Sequence, residues 1–237
     1  MADDDKWCFS WFGDEDRRTT GRSRAAAARK YLWAPGAEIF ISYQEDGDPE
    51  EDKDLRELVE RFAPEWQQFA NVTLTFIDDP NDADIRISFR FPGCWSTVGN
   101  SCRTEPRDRP TMNFNAARMR RSNVAVARGV VLHEFGHALG LIHEHQHPQT
   151  PLEFNRRQVI ADVSRPPNNW SEAKIERNIF APASAGETNA GVYDPESIMM
   201  YPIPPHWLFN PEESTEENHE LSEADKSFIA TQYPKPA

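Results

Sequence analysis

Three histidines in the segment VVLHEFGHALGLIHEHQ carry the first chemical signal of this sequence: His133, His137 and His143, with Glu134 directly after the first. On a helix, residues four apart sit about 40° from each other, so the imidazoles of His133 and His137 leave one face and can reach a single metal ion. A straight helix would carry His143 about 15 Å along the axis from His133, whereas nitrogens that share a zinc ion lie within roughly 4 Å of one another. The helix must therefore end and turn back before His143. Gly140 stands where that turn is needed, and glycine enters the left-handed conformation without a Cβ penalty. Three neutral imidazoles leave a zinc dication its full charge and one open position for water, whose pKa falls toward about 7 in such sites. Glu134 projects to the flank of the ligand face and is the candidate general base, taking a proton from that water and passing it to a leaving amine. The bland alternatives are a buried helix with incidental histidines and a structural zinc site. A long spaced motif rarely arises by chance, and structural sites usually have four protein ligands.

The elements around these residues must hold them. Val124 to Leu141 is apolar on nearly every face and predicts a buried central helix. Before it, AEIFISY, NVTLTFI and ADIRISF read as strands, and in the last of these Ile85, Ile87 and Phe89 alternate with Arg86 and Ser88 as in a half-buried strand. Leu55, Leu58, Val59, Phe62, Trp66 and Phe69 recur at helical spacing and predict an amphipathic helix packed on that sheet. SRAAAARKYLW is a further short helix, and TMNF a short strand. Beyond His147 the chain is irregular, with helical stretches in FNRRQVIADV and WSEAKIERNIF. It ends in a helix, LSEADKSFIATQYP, capped by Ser222 with Glu223 and Asp225 in its first turn.

Bulk properties narrow the function classes. The 237 residues suit one catalytic unit, which we place at 23–237 behind a polar leader or pro-segment at 1–22. A net charge of -13 argues against nucleic acid as a partner. No apolar stretch is long enough for a membrane span, and MADDDKWCF shows no signal peptide. Cys94 and Cys102 flank a turn; in an exported protein they would form a local disulfide, and in a reducing compartment they would stay thiols. His145 and His147 follow the motif too closely to build a second metal site and read as surface groups or groups behind the ligands. The acidic runs EDGDPEEDKD and EESTEENHE read as solvated faces.

The pattern from His133 through Gly140 to His143 resembles the extended zinc signature of the metzincin metallopeptidases, which also carry a methionine-containing turn downstream. Ser197-Ile198-Met199-Met200-Tyr201 and Glu144 after the third histidine are similar to the astacin version, while the order of strands, the Trp-Ser loop and TMNF share features with matrixins. This resemblance spans about Arg24 to Pro234. It implies an α+β fold: a twisted mixed β-sheet with two main helices in an upper lobe, and a smaller irregular, partly helical lower lobe entered at Gly140. It further implies Met199 beneath the zinc, Tyr201 as a fifth zinc ligand that swings to the oxyanion, and a zinc endopeptidase; we expect a monomer, extracellular or secreted, with a cytoplasmic location left open. An extended peptide would lie along a strand from the Cys94 to Gly99 region, and Pro202, Ile203 and Pro204 would border the pocket for the side chain after the scissile bond. Calcium at DDPNDAD, as in matrixins, competes with a plain Asx-rich turn. Trp11-Phe12-Gly13-Asp14 resembles the aspartate switch of astacin propeptides, and Cys8 could fill the open zinc position in the same way as a thiolate. The rival functions are a zinc-containing binding module without turnover and a hydrolase of a non-peptide amide.

Overall fold

Strand β2 (Ala37–Tyr43) lies inside the sheet because Ile39 and Ile41 are fully buried on one face. Around it run β3 (Val72–Phe76), β4 (Ile85–Ser88), β5 (Trp95–Thr97) and β6 (Met112–Asn113), and β1 (Phe9–Trp11) completes the order β1-β5-β6-β4-β2-β3. The computed structural model describes residues 30–166, 168–182 and 192–236, together with the backbone of 9–11. The sheet is mixed: β2, β3, β4 and β6 are parallel, β5 runs antiparallel to β6, and β1 is parallel to β5.

Helix α1 (Lys53–Phe62) forms over the predicted stripe but stops sooner than its periodicity suggests. Pro64 cannot continue an α-helix, so Ala63–Gln68 tightens into a 3₁₀ segment. That change swings Trp66 inward, where its indole N–H donates to the Leu132 carbonyl at 3.0 Å. Helix α2 (Ala116–Arg121) leads into α3 (Val124–Ala138), the predicted central helix, whose first turn is capped by the Asn123 side chain accepting from the Val126 N–H at 3.0 Å. After it come α4 (Arg156–Val163), α5 (Glu172–Ile175) running into a π-helical turn at Glu176–Phe180, and α6 (Glu223–Gln232). Ser222 and Asp225 form a reciprocal capping box at the start of α6, which also places a buried carboxylate there.

Two apolar cores separate the lobes. The upper core joins the sheet to α1, α3 and α6 and includes Met199; the lower core gathers Val159, Trp170, Ile175, Ile203 and Trp207, and includes Tyr201. The methionine turn thus spans both cores, with residues two apart anchored in different lobes. Among the described residues no helix is long and apolar enough to cross a membrane. Asp14, Cys8 and most of the helix expected over SRAAAARKYLW lie outside the described residues.

Three expectations change. Arg86 is not solvent-facing: it is fully buried, and its guanidinium is laid against the carbonyls of Arg109 at 2.9 Å, Pro106 at 3.2 Å and Glu105 at 3.3 Å. The loop after β5 wraps over this face of β4 and turns a half-buried strand into a fully buried one. Cys94 and Cys102 are both buried thiols with no bond between them. Cys94 accepts from the Asn115 N–H at 3.4 Å and lines a cleft beside Glu134, whereas Cys102 sits in the 3₁₀ turn Gly99–Thr104 among Asp84, Arg86 and Arg103. β5 and the turn at Gly99 carry the two side chains into different surroundings, so the close spacing does not become a bridge, and export loses the disulfide as an argument. In the second acidic run Glu212, Glu216 and Glu220 are exposed as expected, whereas Glu217 is turned inward and half-buried against Arg118. In DDPNDAD the Asx turn is present, with Asp79 accepting from the Asn81 N–H at 2.8 Å, and Asp84 is engaged by Arg103 at 2.7 Å.

Candidate active site

Helix α3 ends as the ligand spacing demands. Gly140 has φ +95°, its N–H donates to the His137 carbonyl at 2.8 Å, and the Leu141 N–H reaches back to Gly136 at 3.0 Å. This is the Schellman pattern of a glycine-terminated helix. The remaining terminal carbonyls are satisfied from outside, Ala138 by the Trp33 indole at 2.8 Å and Leu139 by the Tyr233 hydroxyl at 2.6 Å. Once turned, the chain returns His143 to the first two histidines. One ring nitrogen from each of His133, His137 and His143 falls within 4.8 Å of the others.

The hydrogen bonds fix which nitrogens face inward. His133 Nδ1–H donates to the Ile198 carbonyl at 2.7 Å and His137 Nδ1–H to the Leu141 carbonyl at 2.9 Å, so both Nε2 atoms carry lone pairs. His133 Nε2 is buried with no hydrogen-bond partner, and His137 Nε2 faces His143 Nε2 at 3.0 Å. Inward lone pairs at this separation suit a cation between them. Burial holds His133 down at about 4, against a backbone hydrogen bond that raises it, and Arg118 nearby lowers it further. His137 is also depressed, by burial first and then by His133. Both rings are therefore neutral near pH 7 and ready to ligate. This donor set fits zinc: three borderline nitrogen donors, two of them of fixed tautomer, in a low-dielectric setting.

Glu134 is 1% exposed and lines the cleft beside His133 with Cys94, Val130 and Met200. Met199 packs against α3 at Gly136, and it can do so because that residue is glycine: a Cβ there would stand 2.4 Å from the Met199 sulfur. Tyr201 is buried, its ring centroid 4.2 Å from that of His143 and 4.4 Å from that of His145. His145 is not a surface group. It is buried behind Tyr201, with its Nε2 3.0 Å from the Asn178 carbonyl, and it does not join the cluster of three. His147 is buried as well, and His206 pairs with Asp162 at 2.8 Å. Glu144 braces the turn: its N–H donates to the Met199 carbonyl at 2.9 Å, its carboxylate accepts from the Asp194 N–H at 2.9 Å, and burial pushes its pKa up to about 8.

Asp225 had no functional signal in the sequence beyond helix capping. In the structure its carboxylate accepts from the Ser197 hydroxyl at 2.7 Å and the Ile198 N–H at 2.8 Å. The same Ile198 residue receives the His133 Nδ1–H at its carbonyl, so the C-terminal helix braces the first histidine through a single residue of the methionine turn. Arg118, Glu217 and Gly129 were also missed; all three lie around the cleft beside Glu134. No local motif announces them, because their contacts join distant segments.

A profile of the Astacin peptidase family matches residues 25–204. Two structures of myroilysin superpose on the chain. The first has 34% sequence identity and a TM-score of 0.79, covering 89% of this chain and 98% of that one. The second has 32% identity and a TM-score of 0.68, covering 97% and 91% respectively. High choriolytic enzyme 1, a hatching enzyme zinc-protease from the medaka fish Oryzias latipes, shares the fold at 17% identity and a TM-score of 0.58, covering 87% of this chain and 96% of that one. A comparison with curated protein sequences finds no match.

Proposed function

The chain belongs to the astacin family of peptidases and is a zinc metalloendopeptidase, and from that premise we propose that Glu134 drives peptide-bond hydrolysis beside a zinc ion held by His133, His137 and His143. The observation that carries this reading is the convergence of three inward imidazole nitrogens, one buried without a partner, at the edge of a cleft that Glu134 lines. His133, His137 and His143 would hold the zinc ion, which when bound would supply the Lewis acidity for attack by water on the scissile carbonyl. Glu134 accepts a proton from the attacking water and returns it to the departing amine, a role its near-complete burial favours by keeping bulk water from intercepting the proton. Ile198 and Leu141 hold His133 and His137 in the ligating tautomer through their carbonyls. The Tyr201 ring is stacked on His145 and tilted against His143, beside the third ligand, and to its phenol we assign the stabilisation of the oxyanion that develops on the carbonyl. A mixed peptide library tests the proposal. Cleavage within peptide chains should stop on chelation and return with added zinc. Hydrolysis of small amides alone would point to the non-peptide reading, and zinc binding without any turnover to the binding module.

The substrate would lie extended along β5, which begins directly after the cleft-lining Cys94. In this structure β1 pairs with β5 in parallel, Phe9 opposite Trp95 and Trp11 opposite Thr97, so residues of the leader hold the edge an extended peptide requires. We assign 1–22 as an inhibitory segment on this ground, with Cys8, directly before β1, and Asp14, shortly after it, as the candidate switch residues. A tethered strand competes at an effective concentration of about a millimolar. Removing the residues before Arg24 should accordingly raise turnover of a micromolar peptide by about tenfold or more. Equal rates with and without the segment would dispose of the assignment.

A further inference from the structure

The cleft that Glu134 lines forms a pocket with apolar walls at Val130, Met200 and Cys94, and with two further charged side chains, Arg118 and Glu217, in its lining. Arg118 comes from α2 and Glu217 from the acidic run far along the chain. Their guanidinium and carboxylate form a direct ion pair in which the side chains are 12% and 28% exposed. The pair is built into the wall. Gly129 on α3 lets the 217–220 segment lie against the helix, since a Cβ there would stand 2.8 Å from the Asn218 carbonyl and 2.9 Å from the His219 Cα. Asn218 ties the segment to the methionine turn through the Pro195 and Ser197 carbonyls at 3.0 and 2.9 Å, and Glu220 pairs with Arg128 at 2.8 Å.

The side of the reaction that this pocket serves follows from Glu134. A group that returns a proton to the departing amine stands on the amine's side of the scissile bond. The pocket Glu134 lines therefore receives the side chain of the residue after that bond. We propose that the Arg118–Glu217 ion pair sets the specificity of this pocket, making its floor polar but electrically balanced, so that the enzyme selects an uncharged side chain with an aliphatic body, such as Leu, Met or Gln. An acidic side chain meets Glu217 and Glu134 with Arg118 already neutralised, and a basic one meets Arg118 with Glu217 already neutralised and Glu134 committed to the proton of the attacking water. Either must desolvate a charge that the floor does not balance.

This inference rests on the endopeptidase reading, and one experiment separates the two. Cleavage-site profiling on a peptide library is run on the full chain, on Glu217→Gln and on Arg118→Gln, with zinc content and melting temperature measured for each. Glu217→Gln leaves a net positive floor and should raise the preference for Asp or Glu after the scissile bond, relative to Leu, by about tenfold or more. Arg118→Gln leaves a net negative floor and should move the preference toward Lys and Arg by a similar factor. A role confined to stability would lower all cleavage together and leave the profile unchanged. The charge-exchanged double variant Arg118→Glu with Glu217→Arg should return the neutral preference, which covers the case in which one single variant folds poorly. Variants that keep the wild-type profile while cleaving would overturn the assignment of the pair alone. A wild type that cleaves no library peptide would overturn the endopeptidase reading and this inference with it.

Discussion

Alanine at Glu134 is expected to leave one zinc ion per chain and to lower kcat by about 10²- to 10⁴-fold, with kcat/KM falling in parallel. The carboxylate is not one of the three converging ligands, and the tautomers of His133 and His137 are fixed by the carbonyls of Ile198 and Leu141 rather than by Glu134. Metal retention should therefore be indifferent to the change. Turnover should not be, because no other described carboxylate shares the cleft beside the histidines except Glu217, which is committed to Arg118. Metal analysis of the purified variant beside steady-state kinetics on one cleaved peptide checks both halves. Wild-type turnover in the variant would refute the assigned role. Loss of zinc together with activity would show instead that Glu134 supports the metal. KM is expected to change little, since a proton acceptor acts in the transition state and contributes little to holding the ground-state peptide.

The features legible in the sequence are those that a single helix or strand encodes by itself. His133 and His137 share a face by helical spacing, and the need for a break before His143 follows from helix rise alone; Gly140 then identifies where it occurs. The capping of α6 at Ser222 and the strand over AEIFISY likewise need no knowledge of the rest of the chain. What periodicity does not contain is the identity of the segment that covers a given face. Arg86 alternates as a solvent-facing residue should, yet the loop following β5 folds over it and replaces water with main-chain carbonyls. The acidic run near 212–220 has the composition of a solvated loop, but Gly129 opens room for it on α3 and two arginines hold it there. Gly136 lies between the ligands of the motif, and only its contact with Met199, far away in sequence, gives the glycine a reason. The same holds for β1, whose three residues carry a weak strand signal and become a strand by pairing with β5.

Gly140→Ala is expected to weaken zinc binding by about 10- to 100-fold and to destabilise the fold by about 1–3 kcal/mol, the two effects having one origin. At φ +95° an alanine is strained whatever space surrounds it, and its Cβ would also stand 2.6 Å from Leu32 Cδ2. The leucine is the flexible end of a side chain and can move aside; the backbone strain has no comparable outlet. Relaxation toward negative φ would unmake the bonds from Gly140 to His137 and from Leu141 to Gly136. Two ligands then suffer. His143 loses the turn that brings it back to the cluster, and His137 loses the Leu141 carbonyl that holds its Nδ1–H and presents Nε2 to the metal. Competition for zinc with a chelator of known affinity reads the first effect, and thermal unfolding of the metal-free and zinc-loaded forms reads the second. The zinc-induced rise in melting temperature should shrink in the variant, because a ligand that binds the native state less tightly stabilises it less. A variant with lowered stability and wild-type zinc affinity would place the role of Gly140 in the fold alone. Wild-type values for both would show that the turn tolerates a Cβ and that the return of His143 is secured elsewhere, by the bond from the Glu144 N–H to Met199.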